Sequence, residues 1–219
     1  MAIIPTLMNE SIADYAEKYF SAQSPALSAL LADAESSEIP NISIGGVQGA
    51  FLQMMITVMQ ARTVIEIGSL AGYSAITMAL AMKPGGIVHC FEKEPHYCAF
   101  IRRQAEICGM SDRIIVHEGD AIETLSHIQL QEVDLVFIDA DKPRYVDYMH
   151  AVIPMVKSGG IVIGDNALAW GNIADENPTF EPENVKGLQR FNQAMRMHPH
   201  LHPPCIVPLG DGMCISVKK

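Results

Sequence analysis

Thr63-Val64-Ile65-Glu66-Ile67-Gly68-Ser69-Leu70-Ala71-Gly72-Tyr73-Ser74 opens with a short, largely β-branched run, turns on two glycines, and leads into a helix-like segment near Ser74–Met82. A strand, a glycine turn and a helix in immediate succession form one half of a parallel crossover unit. The pattern then repeats. Apolar runs recur at Ile87–Phe91, Ile114–His117, Leu135–Ile138 and Ile161–Ile163, separated by helix-like segments near Tyr97–Cys108, Ala121–Ile128 and Arg144–Val156. Continuous apolar runs mark strands buried on both faces, and their alternation with helices predicts a parallel sheet with right-handed crossovers. A further helix over about Glu183–Met197 leads to Cys205–Leu209 and Met213–Val217, with Gly210-Asp211-Gly212 between them as a hairpin turn. The sheet is therefore expected to end on an antiparallel strand. The architecture predicted is doubly wound α/β.

Upstream of the quoted stretch lie helical segments at Ser11–Phe20 and Pro25–Ala34, a turn-rich segment Glu35–Gly46, and an apolar helix over about Val47–Ala61. No linker interrupts the chain. A single domain over 1–219 is expected, with an N-terminal helical cap (1–61) on a sheet core (62–219). Only 18% of residues are charged while 49% are hydrophobic, which excludes the disordered class. The longest apolar run, around Met54–Met59, is too short for a membrane span, and Met1–Asp14 lacks a secretory leader's basic region and cleavage site. Five cysteines form no CxxC pair, so reduced thiols in the cytoplasm are expected and structural zinc is not. A net charge of −10 disfavours a nucleic-acid partner; the pair Arg102-Arg103 reads as a solvated helix face.

Ligands of such sheets bind beyond the carboxyl ends of the strands, where strand order reverses, so the residues ending each strand carry the functional reading. The first strand ends in Glu66-Ile67-Gly68-Ser69-Leu70-Ala71-Gly72-Tyr73-Ser74, and the second ends in Glu92, where an acid can accept ribose hydroxyls. A tight strand-to-helix turn with a solvated glutamate explains these residues about as well. A dinucleotide site would need G-x-G-x-x-G, and Leu70 stands where a glycine is required. The pattern E-x-G-x-x-x-G instead resembles the first motif of class I S-adenosylmethionine-dependent methyltransferases. That resemblance implies a seven-stranded Rossmann-like methyltransferase fold. It implies Glu66 at the amino-acid end of the cofactor, Gly68 close beside it, Ser74 on the carboxylate and Glu92 on the ribose. It places Asp120 and Ala121 at the adenine, with Ile42 and Ile44 as apolar cover. Asp120 equally suits a helix N-cap, and packing alone accounts equally for Ile42 and Ile44.

The fourth and fifth strands end in Asp139-Ala140-Asp141-Lys142 and Asp165-Asn166. Two carboxylates and an amide oxygen at one sheet edge make a hard, all-oxygen donor set suited to Mg²⁺, Mn²⁺ or Ca²⁺ and poorly suited to zinc or copper. Either end alone could be a turn aspartate. The run Val133–Lys142, the pair Asp165-Asn166 and the terminal Leu209-Gly210-Asp211-Gly212 resemble the caffeoyl-CoA and catechol O-methyltransferase family over about Ile42 to the C-terminus. The resemblance implies that Asp139, Asp165 and Asn166 bind a divalent metal, that Asp139 also faces cofactor and reacting oxygen, and that Lys142 is the catalytic base. A phenol with a pKa near 10 needs such activation at neutral pH. The substrate implied is a small-molecule hydroxyl on a catechol, a hydroxycinnamoyl group or another phenol or diol.

Trp170 falls in a loop whose family counterparts wall the acceptor pocket, though a tryptophan capping the core fits as well. Plant members usually carry an acid just before the Gly-Gln opening the third helix; here the run is Val47-Gln48-Gly49-Ala50, which limits what carries over about acceptor contacts. His198, His200 and His202 alternate along a proline-rich segment that reads as a surface connection rather than a second metal site. Relatives of the resembled family also methylate hydroxylated tRNA bases, an alternative opposed by the negative charge. A non-catalytic cofactor-binding module is the reading from a different class, opposed by the presence of every implied ligand and of Lys142. Family members are commonly homodimers, and the apolar N-terminal helices would supply the interface.

Overall fold

In the computed structural model, which describes residues 9–219, the seven apolar runs become β1 (Thr63–Ile67), β2 (Ile87–Glu92), β3 (Ile114–Glu118), β4 (Val133–Ile138), β5 (Val156–Gly164), β6 (Cys205–Val207) and β7 (Met213–Val217). Residues 1–8, the start of the expected cap and part of the stretch read for a leader, lie outside the described residues. The sheet order is β3-β2-β1-β4-β5-β7-β6. Strands β1 to β5 are parallel, and β7 runs antiparallel to both β5 and β6. Strand order reverses between β1 and β4, the position where crossovers leave toward opposite faces and open a crevice. The fold is Rossmann-like.

Among the described residues eight α-helices surround the sheet: α1 (Glu10–Phe20), α2 (Pro25–Ser36), α3 (Gly46–Met59), α4 (Tyr73–Ala81), α5 (Pro95–Ile107), α6 (Ala121–Ser126), α7 (Tyr145–Val152) and α8 (Pro182–Met197). Their ends follow local chemistry. Asn9 caps α1 by accepting from the Ile12 N–H, Ser24 caps α2 with Pro25 at its first position, and Asp120 caps α6. Glu17 of α1 reaches across to accept the first N–H groups of α3, from Gly46 at 3.0 Å and Val47 at 3.2 Å.

Two cores form, one on each face of the sheet. Leu52, Ile56, Val64, Ile76, Leu135 and Phe137 belong to the first; Ile65, Val136, Ile138, Tyr145, Val162 and Phe191 belong to the second. Alternate residues of β4 thus serve opposite faces, which is why its run is continuously apolar. Leu27 and Leu30 of α2 and Leu52 of α3 sit in the same core as the sheet residues. Asp134 accepts the N–H groups of Arg62 (2.7 Å) and Thr63 (2.8 Å) and pairs with Lys157, tying the start of β1 to β4.

The expected helix over Arg144–Val156 is shorter, and the fifth strand longer, than the apolar pattern indicates. Helix α7 ends at Val152, a 3₁₀ turn spans Ile153–Met155, and β5 starts at Val156. Pro154 cannot donate a helical hydrogen bond. The polar Lys157-Ser158-Gly159-Gly160 hides the early part of the strand as a bulge, where the β4–β5 register shifts between Val133 and Leu135.

Candidate functional site

A cavity of about 730 Å³ opens over the carboxyl ends of β1, β2, β4 and β5. Ile42, Ile44, Gly68, Ser74, Glu92, Asp120, Ala121, Asp139, Lys142, Asp165, Asn166 and Trp170 all line it. These sequence-predicted residues come from segments up to 128 positions apart, between Ile42 and Trp170.

On the β1 side the turn after Ile67 is shaped by close packing. A Cβ at Gly68 (φ +85°) would lie 2.2 Å from the Asp139 carbonyl oxygen, so glycine is required for the tips of β1 and β4 to abut. The Asp139 N–H in turn donates to the Ile67 carbonyl at 2.9 Å. Leu70 adopts φ +48°, and its N–H donates to Glu92 Oε2 at 2.9 Å, while Glu94 N–H donates to Oε1 at 3.0 Å. Both oxygens of the Glu92 carboxylate are therefore fixed by backbone, with capacity left for a further donor from the cavity.

Glu66 lies deeper than the other residues singled out in the sequence. It is not among the residues lining the cavity; it is fully buried, paired in the sheet between Cys90 and Phe137. Neither carboxylate oxygen has a hydrogen-bond partner among the described residues, nor does the Ser69 hydroxyl. Burial pushes the Glu66 carboxyl up to about 7, and the nearby Ser69 and Ser74 hydroxyls temper that rise without reaching hydrogen-bond geometry. Unmatched polar groups directly behind the cavity wall suit a ligand that carries donors to this end. Ser74, on the first turn of α4, does reach the wall.

Asp120 caps α6 by accepting from Ile122 N–H (3.0 Å) and Glu123 N–H (3.2 Å). It also pairs with Arg144 at 2.5 Å, and the guanidinium holds its carboxyl down at about 2. Ala121 beside it is buried; Ile44 is buried and Ile42 exposed at the cavity mouth.

The two acidic strand tips are neighbours. Asp139 follows β4, Asp165 follows β5, and the Asp165 N–H donates to the Ile138 carbonyl at 3.0 Å. Burial pushes the Asp165 carboxyl up to about 7, and the Asp139 charge adds to the rise. A buried carboxylate whose ionisation is opposed by burial and by a neighbouring acid marks a place for positive charge. Lys142 supplies part of it: its Nζ donates to Asp139 Oδ1 at 2.7 Å and to Tyr145 Oη at 2.8 Å. The Tyr145 phenol is fully buried, and burial pushes its pKa well above the usual value, so it stays protonated. Asn166 adopts φ +57°, a left-handed conformation that asparagine tolerates, and its Nδ2 donates to Asp211 Oδ2 at 3.4 Å.

Trp170 is 42% exposed, which removes the reading of it as a core cap. Its ring meets Phe180 edge to face at 5.8 Å, and its backbone N–H donates to the Asp211 carboxylate at 2.9 Å.

Sequence reasoning missed Gln48, Asp141, Arg144, Tyr145, Tyr148 and the side-chain role of Asp211, all of which line the cavity or contact residues that do. The three-residue step from Lys142 to Tyr145 was a usable signal, since in a 3₁₀ turn it sets the two side chains on one side. Nothing in the spacing marks Gln48, whose Nε2 donates to Asp165 Oδ1 from 117 positions away. Among the described residues no three His, Cys, Asp or Glu side chains form a metal-holding group, and His198 and His200 lie with ring centroids 5.7 Å apart. The tip set of Asp139, Asp165 and Asn166 contains two acids and an amide. Among the described residues no helix is long and apolar enough to cross a membrane.

The family described as O-methyltransferase matches residues 17–219. A catechol O-methyltransferase of Niastella koreensis is 30% identical over 217 residues, covering 96% of this chain and 97% of that protein. A catechol O-methyltransferase of Mycobacterium tuberculosis is 34% identical over 199 residues, covering 89% of each. Among solved structures, the O-methyltransferase from Bacillus cereus in complex with SAH superposes with a TM-score of 0.87 at 26% identity, covering 95% of this chain and 97% of that one. The chain belongs to the O-methyltransferase family and is an S-adenosylmethionine-dependent enzyme of it.

Proposed function

We propose that this enzyme methylates one hydroxyl of a small aromatic vicinal diol, a catechol or hydroxycinnamoyl group, with a divalent cation held by Asp139, Asp165 and Asn166. The observation that carries this reading is the pair of acidic tips: a buried Asp165 whose carboxyl is pushed up to about 7 by burial and by Asp139, beside a lysine, in the cavity that also holds Glu92. An all-oxygen set of two carboxylates and one amide fits Mg²⁺ or Mn²⁺. The bound cation would supply Lewis acidity toward an acceptor oxygen, and bound S-adenosylmethionine would supply a methyl group on a sulfonium.

The chain's own groups divide the remaining work. Glu92, fixed by the Leu70 and Glu94 N–H groups, is placed to accept from ribose hydroxyls, and Ser74 from the first turn of α4 holds the amino-acid end. Ala121 and the capped start of α6 flank the adenine. Lys142, once its ammonium has released a proton to solvent, takes the acceptor's proton on the free amine Nζ and returns to the ammonium, which Asp139 Oδ1 and Tyr145 Oη hold in position. Trp170, edge to face with Phe180 at the rim, walls the acceptor side. Holding both reactants in line in such a site supplies roughly 7–11 kcal/mol in favourable cases.

A second copy of the chain would cover the apolar surface of Tyr15, Tyr19 and Phe20 on α1 and Met54 and Val58 on α3, all more than half exposed. Among the described residues all five cysteines are free, which suits the cytoplasm.

The test is transfer of labelled methyl from S-adenosylmethionine to a panel of catechol, a caffeoyl thioester and tRNA. Label on a hydroxyl of catechol or the thioester is expected. Label on tRNA with none on either phenol would overturn the substrate assignment.

A further inference from the structure

Gln48 is nearly buried on the first turn of α3, in a helix that contributes no acid or base to the cavity, and it touches three separate parts of the molecule. Its Oε1 accepts from the Gly45 N–H at 3.2 Å, and its Nε2 donates to Asp165 Oδ1 at 2.9 Å. The two contacts fix the amide's orientation, since a flipped amide would set donor against donor and acceptor against acceptor. The same amide fills the space over Gly210 in the β6–β7 turn, where a Cβ would lie 2.3 Å from Gln48 Oε1 and 2.5 Å from its Cδ. Glycine at 210 (φ +56°) is thus what lets the C-terminal turn close down on the glutamine. The next residue, Asp211, receives the Asn166 Nδ2 on the other side of the strand tip.

We infer that Gln48 is a positioning residue for the cation site: it occupies Oδ1 of Asp165, fixes the carboxylate's rotation, and leaves Oδ2 as the oxygen presented to the ion. This rests on the proposed role of Asp165 as a metal ligand. A buried carboxylate rotates to whichever donor is available, and Asp165 has the Lys142 ammonium nearby to attract it and the Asp139 carboxylate to repel it. An outer partner that holds one oxygen removes that freedom before the ion arrives, and such partners typically carry 10–100-fold of metal affinity.

The competing explanation is that Gln48 only completes the N-terminal cap of α3. Glu17→Ala separates the two, because Glu17 accepts the Gly46 and Val47 N–H groups at the same helix end without touching Asp165. Mn²⁺ and S-adenosylhomocysteine affinities are measured by calorimetry on wild type, Asp165→Ala, Gln48→Met and Glu17→Ala, with melting temperatures alongside. The expected result is a Mn²⁺ Kd raised about tenfold or more in Gln48→Met, with S-adenosylhomocysteine affinity within about threefold of wild type. Glu17→Ala should melt earlier and bind Mn²⁺ as wild type does. Should Gln48→Met fold poorly, Gln48→Asn keeps the amide but withdraws it by one methylene, and it should show a smaller loss in the same direction. Wild-type Mn²⁺ affinity in a folded Gln48 variant overturns the inference, as does an equal loss in Glu17→Ala. If wild type takes up no Mn²⁺, or Asp165→Ala takes it up unchanged, the metal site itself is wrong and this inference falls with it. A normal Gln48→Met beside a non-binding Asp165→Ala removes only the role of Gln48.

Discussion

Glu92 is the one acid at the tip of β2 that both reaches the cavity wall and has each oxygen already anchored, by the N–H groups of Leu70 and Glu94. An anchored carboxylate loses little entropy when it accepts a further hydrogen bond, so its charge is well placed to select for paired hydroxyls. In the proposed reading those belong to the ribose of the methyl donor. Glu92→Gln keeps the shape but removes the charge and turns one acceptor into a donor that opposes a backbone N–H. Hydrogen bonds to charged groups contribute about 1.5–3 kcal/mol, so S-adenosylmethionine affinity should fall by roughly 10- to 100-fold in calorimetry. An unchanged Kd in a folded variant would remove Glu92 from the cofactor site. Glu66, which the sequence sets at the amino-acid end of the cofactor, lies deeper, behind the cavity wall between Cys90 and Phe137 in the sheet, with both carboxylate oxygens unpartnered among the described residues. Sequence spacing specifies that a residue lies one step before a strand tip, but not the depth at which its side chain is sealed.

The strands and helices were mostly legible because each has one dominant cause. β1 begins and ends where its β-branched run does, and α2 starts where Ser24 and Pro25 place a cap and a first turn. The element that was misread, β5, has a polar bulge in its first half, and bulges carry no hydrophobic signature. The β2–β3 edge carries another feature that periodicity does not report. His89 Nδ1 and His117 Nε2 lie 2.9 Å apart, with Phe91 stacked on His117 at 4.6 Å. Burial, and then the His117 charge, push His89 down to about 4. An unfolded histidine titrates near 6.5, so between roughly pH 6.5 and 4 the unfolded chain binds a proton that the native chain refuses. The pair's contribution to stability is present above that window and is lost as pH falls through it. Urea midpoints for wild type and His89→Gln should therefore diverge in slope across that window, wild type falling more steeply with acid. Parallel curves would mean that His89 is not held neutral by the fold.

At the scale of the whole molecule, the site exists because strand order reverses between β1 and β4. That reversal sets the glycine turn after β1 against the Asp139 tip of β4, with the Gly68 backbone so close to Asp139 that no side chain fits between them. The antiparallel β7 and its turn then return to close the far side, where Gly210 seats Gln48 and Asp211 holds the Trp170 loop. The identities of Asp139, Lys142, Asp165 and Asn166 were readable from strand ends and motif. The contacts that hold them were not, because Gln48 and Asp211 meet the site through tertiary closure across 117 and 45 positions. In the proposed reading the convergent tips hold a cation on which methyl transfer depends. The decisive measurement is the turnover of catechol by wild type and Asp165→Ala after removal of metal with EDTA, followed by titration with Mg²⁺. Wild-type turnover should fall to background and return saturably with added Mg²⁺, while Asp165→Ala should stay near background throughout. Undiminished turnover by the metal-free wild type would contradict the account.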